Sequence, residues 1–131
     1  MRLPPGIEIL EDNEGRGRVA QQGDEVTYNV RIFLNRGDEV LINESQVQTG
    51  LPQTSLRHEA GRVLVDHQTV LGRRQAIAGI EKALIGMKPG GHRRVRVGPH
   101  LAYGERGVPG LIPPNAVLNV DVWLRDVKGS A

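Results

Sequence analysis

The chain of 131 residues has no cysteine, which removes disulfide staples, thiolate nucleophiles and cysteine-based metal sites. Aromatic residues are nearly missing too. Phe33, Tyr28, Tyr103 and Trp123 make up 3% of the chain, so the core must be built from valine, leucine and isoleucine, which points toward strands. No run of 18 consecutive apolar residues occurs, so no membrane-spanning helix is expected. Met1-Arg2-Leu3-Pro4-Pro5-Gly6 lacks the apolar stretch of a secretory signal. Charge of one sign is also scarce. The chain carries 17 Lys and Arg against 15 Asp and Glu, a balance of +2, which offers little attraction to nucleic acid or anionic lipid. The expected location is the cytoplasm, with neither membrane nor nucleic acid expected as a partner.

The usual catalytic groupings are missing as well. There is no Gly-x-Ser-x-Gly elbow, and Ser45, Ser55 and Ser130 fall in loop or tail. Carboxylates are scattered along strand edges and turns, so covalent or strong acid–base chemistry is not expected. His58, His67, His92 and His100 have no zinc-ligand spacing. They read as surface or loop residues, and no metal or cofactor is expected. Gly15-Arg16-Gly17 lacks the third glycine and the following helix of a dinucleotide loop and reads as a turn. In His92-Arg93-Arg94-Val95-Arg96, the strongest basic cluster, Arg94 and Arg96 share one face of a strand and Val95 and Val97 the other. That is a half-solvated strand, with no aromatic residue interleaved for base stacking.

What is present is turn-rich and alternating. Glycine (17) and proline (8) are plentiful without a period, and the length suits one domain, residues 1–131. Ile7-Glu8-Ile9-Leu10 is a short strand, and Asp12 to Gly17 a turn. Val26, Tyr28, Val30, Ile32 and Leu34 alternate with polar or outward residues, the period of a strand buried on one face. Asn35 to Asp38 turns the chain into a hairpin partner at 39–42. Residues 43–62 form a long polar excursion, part of it extra strand or mobile. Residues 62–66, 93–97 and 117–127 read as strands. Ala76, Ile77, Ile80, Ala83, Leu84 and Met87 form one helical apolar stripe, stopped by Lys88-Pro89-Gly90-Gly91. The order of strands, one short helix and further strands predicts an α+β fold, an antiparallel sheet wrapped on a single helix.

The most informative segment is residues 102–116, Ala-Tyr-Gly-Glu-Arg-Gly-Val-Pro-Gly-Leu-Ile-Pro-Pro-Asn-Ala. Its prolines forbid a helix, and it is too apolar for a plain solvated loop. It reads as a stiff loop that presents Tyr103, Leu111 and Ile112 over a small apolar cavity.

That loop resembles the FKBP-type peptidyl-prolyl cis-trans isomerases. The shared residues are Ala102-Tyr103-Gly104, Gly107, the run Pro109 to Ala116, Leu118 and Val120-Asp121-Val122, with Gly15, Gly17, Gly23, Gly37, Leu71-Gly72, Ile77, Gly79, Glu81, Met87 and Gly90 upstream. The resemblance spans roughly residues 6 to 127, and 43–62 is longer than the family's usual connection. It implies a half-barrel sheet curled around the helix, with a substrate proline lying between them. It also implies isomerase activity on X–Pro bonds of peptides or unfolded proteins, with a macrolide as a further candidate ligand. Tyr103 would then donate the catalytic hydroxyl. Substrate contact would come from Val30, Val40, Leu41, His67, Ala76, Ile77, Ile80, Leu111, Ile112 and Val120, with the backbone N–H of Ile77 holding a substrate carbonyl.

Several positions depart from the family. It usually has tyrosine at Val30, phenylalanine then aspartate at Val40 and Leu41, an aromatic at His67, tryptophan or another large apolar residue at Ile80, and phenylalanine at Val120. The pocket keeps its apolar character but loses rings, each worth about 0.5–1.5 kcal/mol in aromatic contact, so weak activity is expected. The alternative is a module that has lost catalysis and holds proline-containing peptides or folding clients, with residues 43–62 adding surface.

Overall fold

The computed structural model describes residues 6–40, 56–59, 62–73, 77–110 and 112–129. Strands form at Ile7–Asn13 (β1), Glu25–Leu34 (β2), Glu39–Val40 (β3), Leu56–Glu59 (β4), Arg62–Val65 (β5), His67–Val70 (β6), His92–Val97 (β7) and Leu118–Lys128 (β8). One α-helix, Ala78–Leu84 (α1), stands among the described residues. The α+β architecture is the expected one.

Six strands make one antiparallel sheet in the order β1-β7-β8-β2-β3, with β6 sharing the outer edge of β2. β6 pairs with the first half of β2, Tyr28 opposite His67, and β3 with the last, Ile32 opposite Val40. β4 and β5 form a separate two-stranded ribbon. Strand β4 thus lies inside the excursion read from sequence, while residues 41–55 are outside the described residues. Two bulges bend the large sheet. One places Leu10 as an extra residue in β1 against β7, the other Arg125 in β8 against β2. Bulges raise local twist, and the sheet curls without closing.

The concave face is the core. Val26, Tyr28, Ile32 and Leu34 from β2, Val95 and Val97 from β7, and Leu118, Val120, Val122 and Leu124 from β8 are all buried. Ile80, Ala83 and Leu84 of α1 pack on them. The alternation that sequence shows in β2 and β8 therefore marks the inward face, and aliphatic residues dominate as the scarcity of rings requires.

Four readings change. Asp12 and Asn13 belong to β1 rather than a turn, because they pair with Arg93 and His92. The helix is shorter than its stripe. Ile77 is the extended N-cap, and Met87 is buried beyond the C-terminus. The stop comes earlier than Lys88, at Ile85 in an extended conformation followed by Gly86 at φ +89, the left-handed end that glycine supplies. Arg93 is no surface cation. It lies on the inward face with Val95 and is buried. Its Nη1 donates to the carbonyls of Ala83 (2.9 Å) and Ile85 (3.1 Å) at the helix end, and its Nε donates to Asp12 (3.1 Å).

The outer face of the sheet is polar and paired. Asp121, buried in β8, accepts two bonds from Arg94 (2.9 and 3.1 Å) and lies 2.8 Å from His92 Nε2. Arg96 lies 3.6 Å from Glu8 and Arg31 2.6 Å from Glu39. The His92 ring tilts on Trp123 at 5.0 Å, so His92 is a strand residue, not a loop one. Within β2 another ring lies among the arginines, with Arg31 5.0 Å over Phe33. Burial alone would raise the Asp121 carboxyl, but the bonds from Arg94 and His92 outweigh it and hold its pKa below the ordinary value. A depressed carboxylate contributes stability above its unfolded pKa, about 3.9, and loses it as pH falls through the folded value. Denaturant midpoints should therefore drop between pH 5 and 3, and Asp121→Asn should flatten that drop.

Candidate functional site

The loop between β7 and β8 is built by its own backbone. Gly98 leads into a 3-10 turn, Pro99–Leu101. The N–H of Gly104 then bonds back to Pro99 O (2.8 Å), and that of Gly107 to Tyr103 O (3.1 Å). Val108 and Ile112 exchange two bonds of 2.8 Å, and Asn115 N–H closes on Gly104 O at 2.9 Å. Gly107 sits at φ +60, where a Cβ would run into the carbonyl oxygens of Ile112 and Pro113. Only glycine meets both demands. Prolines and these bonds make the loop stiff, and it sets Tyr103 half-buried against the core.

The residues singled out from sequence fall into three groups. Ile80 and Ile112 retain 5% exposure and Val120 none, so they form the packed base. Val30, Val40, Ile77 and Tyr103 are half-buried and pack on the core that includes that base, and half-buried His67 stacks on Tyr28. They are the ones that offer surface. Leu41, Ala76 and Leu111 lie outside the described residues. Ile77 caps α1, and its carbonyl accepts from Ile80 (3.0 Å) and Glu81 (3.2 Å). Its own N–H has no partner among the described residues, as expected at a helix start.

The pairing of His67 with Tyr28 escaped the sequence, although the resemblance had named His67. His67 is not a surface histidine. Its ring stacks on Tyr28 with centroids 5.3 Å apart, and burial lowers its pKa, opposed in part by Asp66. Tyr28, read only as strand core, is 5% exposed. Burial, then the charges of Glu81 and Tyr103, push its phenol up to about 12. Burial also raises the Tyr103 phenol, so both hydroxyls keep their protons at neutral pH. Tyr28 and His67 thus supply an aromatic pair beside the candidate site despite the ring losses at Val30 and Val120. The parity of Tyr28 with Val30 on one face of β2 was the signal available.

The depressed imidazole has a sign that can be checked. The unfolded state protonates first, near pH 6.5, so folded stability is retained above that pH and lost as pH falls from there toward the folded pKa. Unfolding midpoints between pH 8 and 5 should fall, and His67→Phe should remove that part of the fall.

A cavity of about 330 Å³ lies elsewhere, beyond the C-terminal end of α1, between Asp12, Glu14, Met87, Lys88 and Arg93. Its charged groups are engaged with one another, Lys88 with Glu14 and Arg93 with Asp12. Among the described residues no cluster of His, Asp or Glu could hold a metal ion, and no helix is long and apolar enough to cross a membrane.

Comparison with known proteins agrees with this geometry. A family model described as FKBP-type peptidyl-prolyl cis-trans isomerase matches residues 17–125. FK506-binding protein 1A of Neurospora crassa is 36% identical over 124 residues, 95% of this chain and 90% of that protein. FK506-binding protein 4 of Chaetomium thermophilum is 33% identical over 128 residues, 98% of this chain but 23% of that protein. Peptidyl-prolyl cis-trans isomerase FKBP9 of Mus musculus is 50% identical over 60 residues, 46% of this chain and 10% of that protein. The chain therefore spans under a quarter of the length of the last two.

Proposed function

Because this chain belongs to the FKBP-type peptidyl-prolyl cis-trans isomerase family, we propose that it isomerises X–Pro bonds in peptides and unfolded proteins, as one domain over residues 1–131. The observation that carries the proposal is the stiff loop that holds Tyr103 half-buried against the same core on which half-buried Val30, Val40 and Ile77 pack.

The reaction suits such a site. An X–Pro amide resists rotation because resonance makes it planar, with a barrier of about 18–20 kcal/mol. Nothing is made or broken, so neither nucleophile nor metal is needed. Apolar walls disfavour the planar, charge-separated amide more than the twisted one, which binds the transition state preferentially, and covering the bond excludes water. The Tyr103 hydroxyl donates to the substrate carbonyl, and the N–H of Ile77, without a partner among the described residues, holds a second one. Ile80, Ile112 and Val120 back the wall that Val30, Val40 and His67 present. The aliphatic walls make the activity weak and leave a macrolide fewer rings to stack on. The proposed place of action is the cytoplasm.

Tyr103→Phe tests the role of the hydroxyl. Losing one hydrogen bond to the twisted amide, about 1.4 kcal/mol, lowers the rate about tenfold with the thermal midpoint within a few degrees of wild type. An unchanged rate removes Tyr103 from the mechanism.

A second reading is favoured by one observation, the β4–β5 ribbon, whose first strand lies inside the long polar excursion. In it the domain holds folding clients without accelerating them, using residues 43–62 as added surface. Binding of an unfolded protein that persists without rate enhancement, and weakens on deleting 43–62, supports this reading. Unaltered binding after the deletion dismisses it.

A further inference from the structure

We propose that Glu81 is a positioning residue of this site, its carboxylate tying the start of α1 to the edge of the sheet and so setting where the Ile77 N–H meets a substrate carbonyl. The inference rests on the isomerase reading above, which gives Glu81 no part.

Glu81 stands in the first turn of α1 and keeps only 9% exposure. A carboxylate is costly to bury unless donors meet its oxygens. Here one oxygen is met and the other is not. Oε1 accepts from the Gly72 N–H at 3.2 Å, while Oε2 is buried with no partner among the described residues. A half-satisfied group of this kind adds little stability, so the bond it does make acts on position. Gly72 is a fixed point. Leu71 before it donates to Asp24 O (2.9 Å) and accepts from the Gly23 N–H (2.8 Å), in the turn that opens β2. Gly72 itself has φ +97, with Gln22 Oε1 standing where a Cβ would lie. The other end is Ile77, whose carbonyl accepts from the Glu81 N–H at 3.2 Å, the helix's own i→i−4 bond. One residue therefore holds Gly72 with its side chain and Ile77 with its backbone, on either side of residues 73–76. The sheet edge fixes Gly72, Glu81 fixes α1 to Gly72, and Ile77 at the head of α1 follows.

Two nearly isosteric variants separate position from packing. Glu81→Met keeps the volume and removes the acceptor, and Glu81→Gln keeps an oxygen for Gly72. With an Ala-Pro-containing peptide as substrate, Glu81→Met raises KM about fivefold and leaves kcat within about twofold, the mark of binding lost equally from ground and transition states. Glu81→Gln stays within about twofold of wild type in both. In nitrogen-resolved NMR without peptide, the Gly72 and Ile77 amide signals move together in Glu81→Met and move less in Glu81→Gln. An unchanged KM in Glu81→Met, or an Ile77 signal that stays in place, overturns this inference and leaves the isomerase reading standing. Absence of rate enhancement in wild-type protein overturns both. If Glu81→Met does not fold, amide exchange in wild-type protein decides. Protection of Gly72 as great as that of the α1 amides supports the tie, and exchange at the rate of an open loop overturns it.

Discussion

Alanine at Gly107 is expected to lower X–Pro isomerisation at least tenfold, while alanine at Gly110 leaves it within about threefold. Both glycines have positive φ, +60 and +79, so each substitution carries the left-handed penalty of about 1–2 kcal/mol. They differ in the space around them. A Cβ at Gly110 meets nothing within 4 Å, whereas one at Gly107 collides with the backbone oxygens of Ile112 and Pro113. Backbone cannot rotate away as a side chain can, so the Val108–Ile112 bridge must open. Gly107 N–H also holds the Tyr103 carbonyl at 3.1 Å, so the catalytic ring moves with the loop. A misplacement of about 1 Å can cost as much as 100-fold in rate. The strand ladders themselves keep their bonds, so kcat/KM should fall further than the thermal midpoint would suggest. Equal effects at the two glycines would show that the loop's geometry does not govern the site.

The largest loss of stability is expected at Arg93. Arg93→Ala should cost about 3 kcal/mol, because two carbonyls at the end of α1 lose their donor inside the protein, each worth roughly 1–3 kcal/mol. Arg96→Ala provides the contrast. Its side chain and that of its partner Glu8 are 46% and 66% exposed and 3.6 Å apart, so the change should stay within about 0.5 kcal/mol. Urea midpoints for the two variants measure the difference directly. Comparable midpoints would mean that the helix end is satisfied without the guanidinium.

Much of this fold was legible, for identifiable reasons. Strands β2 and β8 each run for ten residues or more with the inward positions apolar, and period 2 is hard to mistake at that length. The helix was legible in existence and not in extent. Met87 falls seven residues after Ile80, a helical spacing, yet reaches the core from an irregular segment after Gly86 has ended the helix. The role of Arg93 was hidden by its neighbours. Arg94 and Arg96 make the segment look like a solvated cationic patch, although residue 93 shares its parity with Val95 and Val97. At the site, the loop announced itself by prolines, glycines and a lone tyrosine, and the resemblance supplied what a single sequence has no means to encode locally, namely which distant residues meet it. Tyr28 stayed hidden because a ring in an alternating strand reads as core, and His67 was reached through the resemblance alone because a lone histidine reads as surface. Their stacking depends on strand register, which no local pattern fixes.

The central claim is that this apolar, tyrosine-bearing site accelerates rotation about an X–Pro amide. Magnetisation exchange between the cis and trans signals of a short X–Pro peptide measures that rotation at equilibrium, without coupling enzymes. With wild-type protein at high concentration, exchange faster than the uncatalysed rate, which takes tens of seconds or more, and proportional to protein concentration is the predicted result. Exchange that stays at the uncatalysed rate while the folded protein is present would contradict it.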